Sequence, residues 1–415
     1  MKILLGLAGV LLILAIAVLF SSNRRGIRPR VVLPAFALQA AIAGLVLYVP
    51  AGQAAIHAVA GGVDTVLGYS RAGIGAVFGG LTEVNGVMSF AINILPIIVF
   101  FSALVSILYF FGVMQLFVRY VGGALQAVLG VDRVEAFYAA ANVLVGQSES
   151  PLVIRAWLHR LTDAQIFALM VTGMAGVAGS ILAAYASMGV KMEYLLAAAF
   201  MSAPGGLLMA KLLMPDPPHA APGDLPAAEA EAPVEDHEER PKNLLMAIFN
   251  GTEDGVKLAV AVGAMLVVFV ALIAMLNGAV GGVGGLFGHP DLTIQQMLGW
   301  VFSPVMYLLG VPPEELNTAA GLFGEKVILN EFVAYLDYGK VAATLSPHTQ
   351  AVVTFALCGF ANISSIAIQM GVLGGLAPEK RPTIARLGLR AVLGGSLANL
   401  MSAALAGLML TVGGI

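Results

Sequence analysis

Long apolar segments recur along this chain at lengths that match a lipid bilayer. A helix needs about 20 apolar residues to cross a hydrocarbon core of about 30 Å. Segments that meet this requirement lie at residues 3–21, 31–50, 91–118, 168–189, 192–213, 257–278, 350–375 and 385–412. The sequence therefore predicts an all-α polytopic membrane protein with eight transmembrane helices.

The composition agrees with lipid as the main solvent of this surface. Of the 415 residues, 59% are hydrophobic and 11% are charged, whereas soluble domains carry about 25% charged residues. The net charge of −3 and the lack of a long basic block exclude a nucleic-acid partner. The chain contains no P-loop, no His-Glu-x-x-His zinc helix and no nucleophile elbow, so we do not expect an enzyme.

Two further segments, 130–167 and 313–345, are too polar in the middle to cross a bilayer, and each is followed by two apolar spans. We interpret them as re-entrant helical hairpins, each entering and leaving on one side. The spans that follow them share a glycine-interrupted pattern, GMAGV at 173–177 and GFANI at 359–363. This matching order predicts inverted repeats, whose binding site lies between broken helices near the bilayer midplane.

The positive-inside rule sets the orientation of these spans. With the N-terminus outside, all but five of the 21 basic residues lie on the inner side. The five left outside are Lys2, Arg71, Lys191, Lys326 and Lys340. We therefore expect a multi-pass protein of the cell inner membrane that retains its first span.

Five segments follow from these patterns. Residues 51–87 are rich in glycine and suit an interfacial helix, and a stretch rich in Pro, Ala and Glu suits a linker without a core. The predicted division is spans 1–3 with the interfacial helix (1–129), the first repeat (130–213), a cytoplasmic linker (214–243), span 6 with flanking helices (244–312) and the second repeat (313–415).

Polar side chains concentrate at the centre of the first hairpin. Gln147, Ser148 and Glu149 would point about 100° apart in a continuous helix. Gly146 permits unusual backbone angles and Pro151 lacks a donor, so this stretch suits a hairpin tip. An amide, a hydroxyl and a carboxylate together can bond to the mixed donor and acceptor edge of a nucleobase. The alternative is that these groups only cap the helices of the hairpin.

The second hairpin contains two acids. An ionised carboxylate at the membrane centre costs about 2.5–3.5 kcal/mol and is normally functional or paired. Glu325 can pair with the adjacent Lys326 or reach the interface, which leaves its role open. Glu331 is followed by Phe332 and Val333, has no local partner and is the better ligand candidate.

The interrupted spans supply further polar groups. Asn362 and Ser365 are three residues apart, so they share a face of a helix. Together with a carboxylate they would suit the vicinal hydroxyls of a ribose, although such residues also serve as contacts between helices. A break near 179–181 would free carbonyls that, with oxygens of Ser180 and Asn142, can hold a small hard cation. Alternatively, Ser180 bonds back to its own helix.

Three segments resemble the signature segments of concentrative nucleoside transporters: GQSE at 146–149, NEFVAY at 330–335 and GFANISS at 359–365. The resemblance covers nearly the whole chain, including the order of the spans. It implies a secondary active symporter that imports nucleosides by an elevator movement, driven by Na+ or, as in some bacterial relatives, by H+. It also implies a homotrimer, with spans 1–3 and 6 as a scaffold and the two repeats as the transport part.

The resemblance also implies a role for individual residues. Ser148 stands where other members have Thr. The residues implied at the substrate are Gly146, Gln147, Ser148 and Glu149 on the base side and Glu331, Phe360, Asn362 and Ser365 on the ribose side. The residues implied around Na+ are Asn142, Ser148 and Ser180 through side chains and Val145 and Ile181 through backbone carbonyls. Other hypotheses are a symporter for a nucleobase or a sugar, and an uncoupled channel or receptor.

Overall fold

The structure is a computed structural model that describes residues 2–84, 87–88, 90–217 and 241–413. In these ranges the chain is almost wholly helical, with one antiparallel pair of two-residue strands, β1 (Glu83–Val84) and β2 (Val87–Met88). The first eleven helices are α1 (Lys2–Leu19), α2 (Pro29–Leu47), α3 (Pro50–Phe78), α4 (Phe90–Asn93), α5 (Leu95–Phe110), α6 (Val113–Leu129), α7 (Arg133–Val145), α8 (Ser150–Val153), α9 (Asp163–Ala175), α10 (Gly179–Ser187) and α11 (Met192–Leu213).

The other half of the chain continues the pattern. Most of the predicted linker, residues 218–240, lies outside the described residues. The remaining helices are α12 (Leu244–Gly285), α13 (Ile294–Leu308), α14 (Leu316–Ile328), α15 (Glu331–Val341), α16 (Pro347–Leu357), α17 (Ser364–Leu376) and α18 (Arg381–Val412). Short 3-10 turns lie at Arg24–Gly26, Gly79–Thr82, Arg155–Arg160, Ala342–Thr344 and Pro378–Lys380.

The predicted class, an all-helical polytopic membrane protein, is confirmed. In the described part, six stretches are long and apolar enough to cross a membrane: Pro29–Leu47, Ala91–Phe110, Asp163–Ser187, Met192–Leu213, Leu244–Gly285 and Pro378–Val412. Shorter apolar helices lie at Ile3–Leu19, Val113–Leu129 and Ser364–Leu376. The number of eight spans stays a prediction.

Two predicted boundaries are wrong. The span expected at 91–118 stops at Phe110, because Gly112 takes a positive φ of 76° and starts a separate helix, α6, that packs on α7. A left-handed residue ends a helix and favours glycine. The span expected at 257–278 is only the middle of α12, a continuous helix of 42 residues. The glycine-rich segment forms one long helix, α3, which begins with Pro50 in its first turn.

Each predicted hairpin consists of two helical segments joined by a turn. In the first hairpin, Asp132 caps α7 by accepting a hydrogen bond from Val134 N at 2.8 Å, and Gly146 ends the helix with φ +74°. The chain returns through α8 and a 3-10 turn. In the second hairpin, α14 and α15 pack together, and Asn330 caps α15 by accepting from Val333 N at 2.9 Å. Capping oxygens satisfy amides that a helix start leaves free.

The two interrupted spans break within their glycine patterns and cross at their breaks. The break expected near 179–181 is wrong in position, because these residues form the first turn of α10. One break lies at 176–178, between α9 and α10, and the other at 358–363, between α16 and α17. Phe360 N donates to Gly176 O at 3.1 Å, which joins the two breaks directly. Asn399 on α18 donates to Ala175 O at 2.6 Å and to Cys358 O at 3.0 Å. Carbonyls freed at helix ends thus keep partners inside the protein, as membrane depth requires.

Candidate functional site

A cavity of about 1370 Å³ lies where the two hairpin tips and the two helix breaks face α5 and α12. Most of its polar lining comes from the two repeats. The lining includes Val145, Gln147, Ser148, Glu149, Ser180, Ile181, Asn330, Glu331, Phe332, Phe360, Asn362, Ser364 and Ser365. On the opposite side it is lined by residues of α5 and α12, among them Tyr109, Asn250, Asp254 and Lys257. The repeats therefore form one wall and the α5–α12 pair forms the other.

Glu331 is a buried acid of this cavity, and neighbouring side chains hold both of its oxygens. It follows Asn330 as the first residue of α15, where the helix dipole favours a negative charge. Its Oε1 accepts a hydrogen bond from the Tyr185 hydroxyl at 3.0 Å, and its Oε2 accepts one from Asn362 Nδ2 at 3.0 Å. An ionised carboxylate has about four acceptor positions. Two acceptor positions therefore remain for hydroxyl groups of a ligand.

Gln147 faces the cavity from the first hairpin, and both the nitrogen and the oxygen of its amide are hydrogen-bonded. Its Nε2 donates to Ser365 Oγ at 3.0 Å, and its Oε1 accepts from Gln369 Nε2 at 2.8 Å. A primary amide has two donors and two acceptor positions. One N–H and one lone pair are left, which can bond to adjacent acceptor and donor groups of a heterocycle.

The other residues of the hairpin tip point into the cavity. Ser148 and Glu149 are exposed there, and Glu149 precedes α8 without a side-chain capping bond. The capping alternative for Glu149 is therefore wrong. Gly146 forms the turn behind them, where an added Cβ would lie 2.8 Å from Ala178 Cβ. Only glycine fits this close approach with a positive φ.

Asn362 connects the second break to the acid. Its Oδ1 accepts from Ser365 N at 2.9 Å and from Ser364 Oγ at 2.7 Å, while its Nδ2 donates to Glu331. Phe360 is half-buried and contributes an apolar surface to the same cavity. The structure thus brings the predicted substrate residues to one wall, with Gly146 as the turn beneath them.

The predicted cation ligands cluster beside the same tip. Asn142 is buried; its Nδ2 donates to Thr172 O at 2.9 Å, while its Oδ1 has no hydrogen-bond partner in the described part of the chain. The Ser180 hydroxyl makes no bond back to α10 among the described residues, and Val145 and Ile181 line the cavity nearby. A buried oxygen without a donor, among neutral oxygens, fits a small hard cation.

An acidic metal cage is not part of the described structure. No group of three or more His, Cys, Asp or Glu side chains is placed to hold a metal ion within the described ranges. The donor set beside the first hairpin tip is neutral, and it fits a monovalent cation better than a divalent one.

Three side chains that hold the site together were not predicted from the sequence: Tyr185, Gln369 and Asn399. Tyr185 lies one turn after Ile181, so the spacing placed it on the same face of α10, and a tyrosine in an apolar span signals a polar contact. Gln369 lies one turn after Ser365 in the same way. Asn399, which bridges the two breaks, had no local signal, because its partners come from distant segments.

The suggested pairing of Glu325 with Lys326 is wrong. The Lys326 Nζ donates to Asn399 Oδ1 at 2.6 Å and to Ala356 O at 3.2 Å. Glu325 instead accepts from Gln295 Nε2 at 3.3 Å. Consecutive helical residues point about 100° apart, so adjacent side chains of α14 meet different neighbours.

The rim of the cavity includes a polar contact between the repeats. It joins the 3-10 turns that precede α9 and α18, outside the predicted spans at 168–189 and 385–412. His159 lines the cavity, and its Nδ1 lies 2.7 Å from Glu379 Oε1 in the turn before α18. The pKa of the Glu379 carboxyl is lowered, first by its own backbone amide and then by the bond to His159. The carboxylate form of Glu379 is therefore the one that holds this contact.

Interrupted membrane helices around a cavity with polar side chains and a buried carboxylate on its wall are typical of a transporter of a polar solute. Residues 8–81 and 194–407 match the N- and C-terminal models described as Na+ dependent nucleoside transporter. Residues 91–192 match the model described as nucleoside recognition. The chain therefore belongs to the concentrative nucleoside transporter family.

Similar proteins are found over the whole chain. It is 43% identical to the nucleoside permease NupC of Helicobacter pylori over 418 residues, covering 98% of each chain. It is 33% identical to solute carrier family 28 member 3 of Homo sapiens over 421 residues, covering 98% of this chain and 60% of the human one. CNTnw in an inward-facing substrate-bound state superposes with a TM-score of 0.93 at 46% identity, covering 100% of this chain and 99% of the other.

Proposed function

We propose that this protein is a secondary active symporter that imports nucleosides across the cell inner membrane with Na+ as the coupling ion. The observation that carries the proposal is the Glu331 carboxylate, fixed by Tyr185 and Asn362 on the wall of a cavity that also presents Gln147. The names of the similar permeases and of the family models support a nucleoside as the solute. H+ is the alternative coupling ion.

The nucleoside is oriented by the two hairpins. The free acceptor positions of Glu331 take the vicinal hydroxyls of the ribose, with Asn362 and Ser365 beside them. Gln147, Ser148 and Glu149 take the polar edge of the base, and Phe360 packs near the ribose. Polar groups with a fixed geometry discriminate well, because a ligand without the matching hydroxyl leaves them buried and unpaired.

Na+ binds beside the first hairpin tip. Asn142 Oδ1, the hydroxyls of Ser148 and Ser180 and the carbonyls of Val145 and Ile181 are the proposed ligands. One monovalent cation moving down 100 mV releases about 2.3 kcal/mol, and a tenfold gradient adds about 1.4 kcal/mol. Their sum, about 3.7 kcal/mol, supports a nucleoside gradient of roughly 500-fold, so one ion per nucleoside is sufficient.

The movement is proposed to be of the elevator type. The two repeats form the transport part, and spans 1–3 and 6 form the scaffold of a homotrimer, with the N-terminus outside. The cavity supports this division, since the repeats line one wall and α5 and α12 line the other. The homotrimer rests on the likeness to the family, since the exposed apolar side chains of α12 can face lipid.

Uptake of labelled uridine into proteoliposomes tests the function. An imposed Na+ gradient is compared with an imposed H+ gradient, using the unaltered chain and Glu331→Gln. We expect accumulation above the external concentration under the Na+ gradient and its loss in the variant. Glu193→Gln, an acid on α11 that bonds to His57 outside the cavity, is the matched control and keeps uptake.

The rival functions give different results in the same vesicles. Competition by nucleobases or sugars, but not by nucleosides, would identify a symporter for another solute. Equilibration without accumulation would identify a channel, and binding without uptake a receptor. No uptake of uridine or of purine nucleosides under either gradient contradicts the proposal.

A further inference from the structure

The second hairpin contains a pair of carboxyl groups outside the nucleoside cavity. Glu325 on α14 is 1% exposed, and its carboxyl is in hydrogen-bond contact with that of Asp337 on α15. Neither residue lines the large cavity. The contact joins the two arms of the hairpin, and neither the proposed nucleoside site nor the proposed Na+ site uses it.

The hydrogen bonds around this pair leave one position unfilled. Lys340 Nζ donates to Asp337 Oδ1 at 2.5 Å, and Gln295 Nε2 donates to Glu325 Oε1 at 3.3 Å. Glu325 Oε2 is buried and receives no hydrogen bond from any described residue. Two ionised carboxylates in contact repel each other, and neither can donate. A single proton between them removes the repulsion and supplies the missing bond.

We propose that Glu325 and Asp337 form a proton-binding site, in which Glu325 Oε2 carries the proton and donates it in a hydrogen bond to Asp337. The Lys340 ammonium also donates to Asp337 Oδ1, so Asp337 is the acceptor of both bonds. The Glu325 carbonyl oxygen accepts the Gln295 amide. Binding adds one H+ to Glu325 and forms one O–H bond, and no other bond breaks. The ligand of this site is a proton, separate from the coupling ion at the first hairpin.

A small cavity that can hold water borders the pair, and few charged groups face the two carboxyls. A smaller cavity of about 230 Å³ borders Asp337 and Lys340 and separates them from α12. Lys340 is the charged side chain that faces the pair, α13 contributes the neutral Gln295, and α12 contributes the neutral Asn277. Water in this cavity can therefore deliver a proton to Asp337 and from there to Glu325.

Protonation affects how the second hairpin meets its neighbours. Glu325 bonds to Gln295 of α13, and the Gln295 Oε1 accepts from Asn277 Nδ2 of α12 at 3.1 Å. Removal of the proton places two negative charges between α14 and α15, at the start of this chain of bonds. On the proposed transport function, uptake then requires the protonated site and falls at high pH.

Infrared difference spectroscopy of the purified full-length protein tests the site without transport. A protonated carboxyl has a C=O stretch that a carboxylate lacks, and we expect such a band at neutral pH that disappears in Glu325→Gln. Asp337→Asn removes the neighbouring negative charge, so the band should titrate at lower pH. Glu379→Gln, an exposed acid, is the control and keeps the band. A neutral-pH spectrum in which no protonated carboxyl band depends on Glu325 overturns the proposal.

Sodium-driven uridine uptake supplies the second readout. Glutamine at 325 can donate to Asp337 and accept from Gln295, so Glu325→Gln reproduces the protonated form and should retain uptake. A step that needs one proton slows about tenfold for each pH unit above the titration. We expect this decline in the unaltered chain and a flat profile in Glu325→Gln. Equal profiles overturn the regulatory role, while a missing uptake with the infrared band intact contradicts only the proposed transport function.

Discussion

Tyr185 donates a hydrogen bond of 3.0 Å to Glu331, and this bond joins α10 of the first repeat to the second hairpin. The tyrosine ring also packs against Tyr335, with ring centroids 4.4 Å apart. Asn362 holds the other oxygen of the carboxylate. The orientation of the Glu331 carboxylate, which is proposed to bind the ribose, therefore depends on residues from both repeats.

Replacing Tyr185 with phenylalanine removes one donor and keeps the packing. A hydrogen bond to a charged group is worth about 1.5–3 kcal/mol, and each 1.4 kcal/mol is a factor of about ten in affinity. We expect Tyr185→Phe to weaken uridine binding about tenfold, measured by isothermal titration calorimetry. Tyr335→Phe is the control, since that hydroxyl bonds to Thr354 O at 2.9 Å and makes no hydrogen bond to the acid. Equal losses in both variants would count against a positioning role for Tyr185.

Sodium should raise the thermal stability of the protein through Asn142. A ligand that binds only the folded state stabilises it, by about 2.7 kcal/mol at a concentration 100 times its Kd. We expect Na+, but not K+, to raise the unfolding temperature of the unaltered chain in detergent. Asn142→Ala, which removes the unpaired Oδ1, should abolish most of this difference. A full sodium effect in the variant would show that the ion binds elsewhere.

Asn399 should contribute strongly to stability, because three buried groups depend on it. Lys326 Nζ, Ala175 O and Cys358 O all bond to its amide. Lys326 keeps its bond to Ala356 O in the variant, whereas two carbonyls lose their donor. Each buried group left unpaired costs about 1–3 kcal/mol, so Asn399→Ala should lower the unfolding free energy by at least about 2 kcal/mol. Ser396→Ala, also on α18, is the control, since that hydroxyl has no partner in the described part of the chain. Thermal unfolding in detergent measures both, and similar curves would disprove the bridging role.

The contact between Glu379 and His159 should weaken in acid. The pKa of Glu379 is lowered in the folded protein, so folding favours the carboxylate. The contact therefore contributes to the free energy of unfolding at pH values above the pKa of Glu379 in the unfolded chain. This contribution is lost as the pH falls through the pKa of Glu379 in the folded protein. We expect the stability difference between the unaltered chain and Glu379→Gln to vanish over that acidic range, as followed by thermal unfolding. A difference that persists below the folded pKa would assign the effect to another group.

Local signals in the sequence were sufficient for the helices and for the two breaks. Apolar runs defined the spans, and Gly146 lies at the predicted turn, because glycine acts on its own backbone. The first break lies within the glycine pattern at 173–177, just before the expected position near 179–181. The end of the span at Phe110 was missed, since Gly112 lies within a continuous apolar run. Hydropathy alone does not detect a left-handed residue.

Contacts between distant segments could not be found in this way. Lys326 was placed beside its sequence neighbour Glu325, whereas its partner is 73 residues away on α18. The same limit applies to Gln147 and Gln369, which are separated by 222 residues. Pattern and resemblance identified the residues that face the cavity, but the partners that hold them follow from the packing of the repeats.

The hydrogen bond from Phe360 N to Gly176 O, together with the Asn399 bridge, has a consequence for how a nucleoside enters. If the two repeats moved apart to admit the solute, they would have to separate at these crossed breaks. Several buried backbone groups would then be exposed to lipid. On the proposed function, the two repeats instead carry the nucleoside together as one rigid body. The nucleoside would then enter at the interface between the repeats and the α5–α12 pair. Substitutions along this interface should alter the transport rate and leave the selectivity for the solute unchanged.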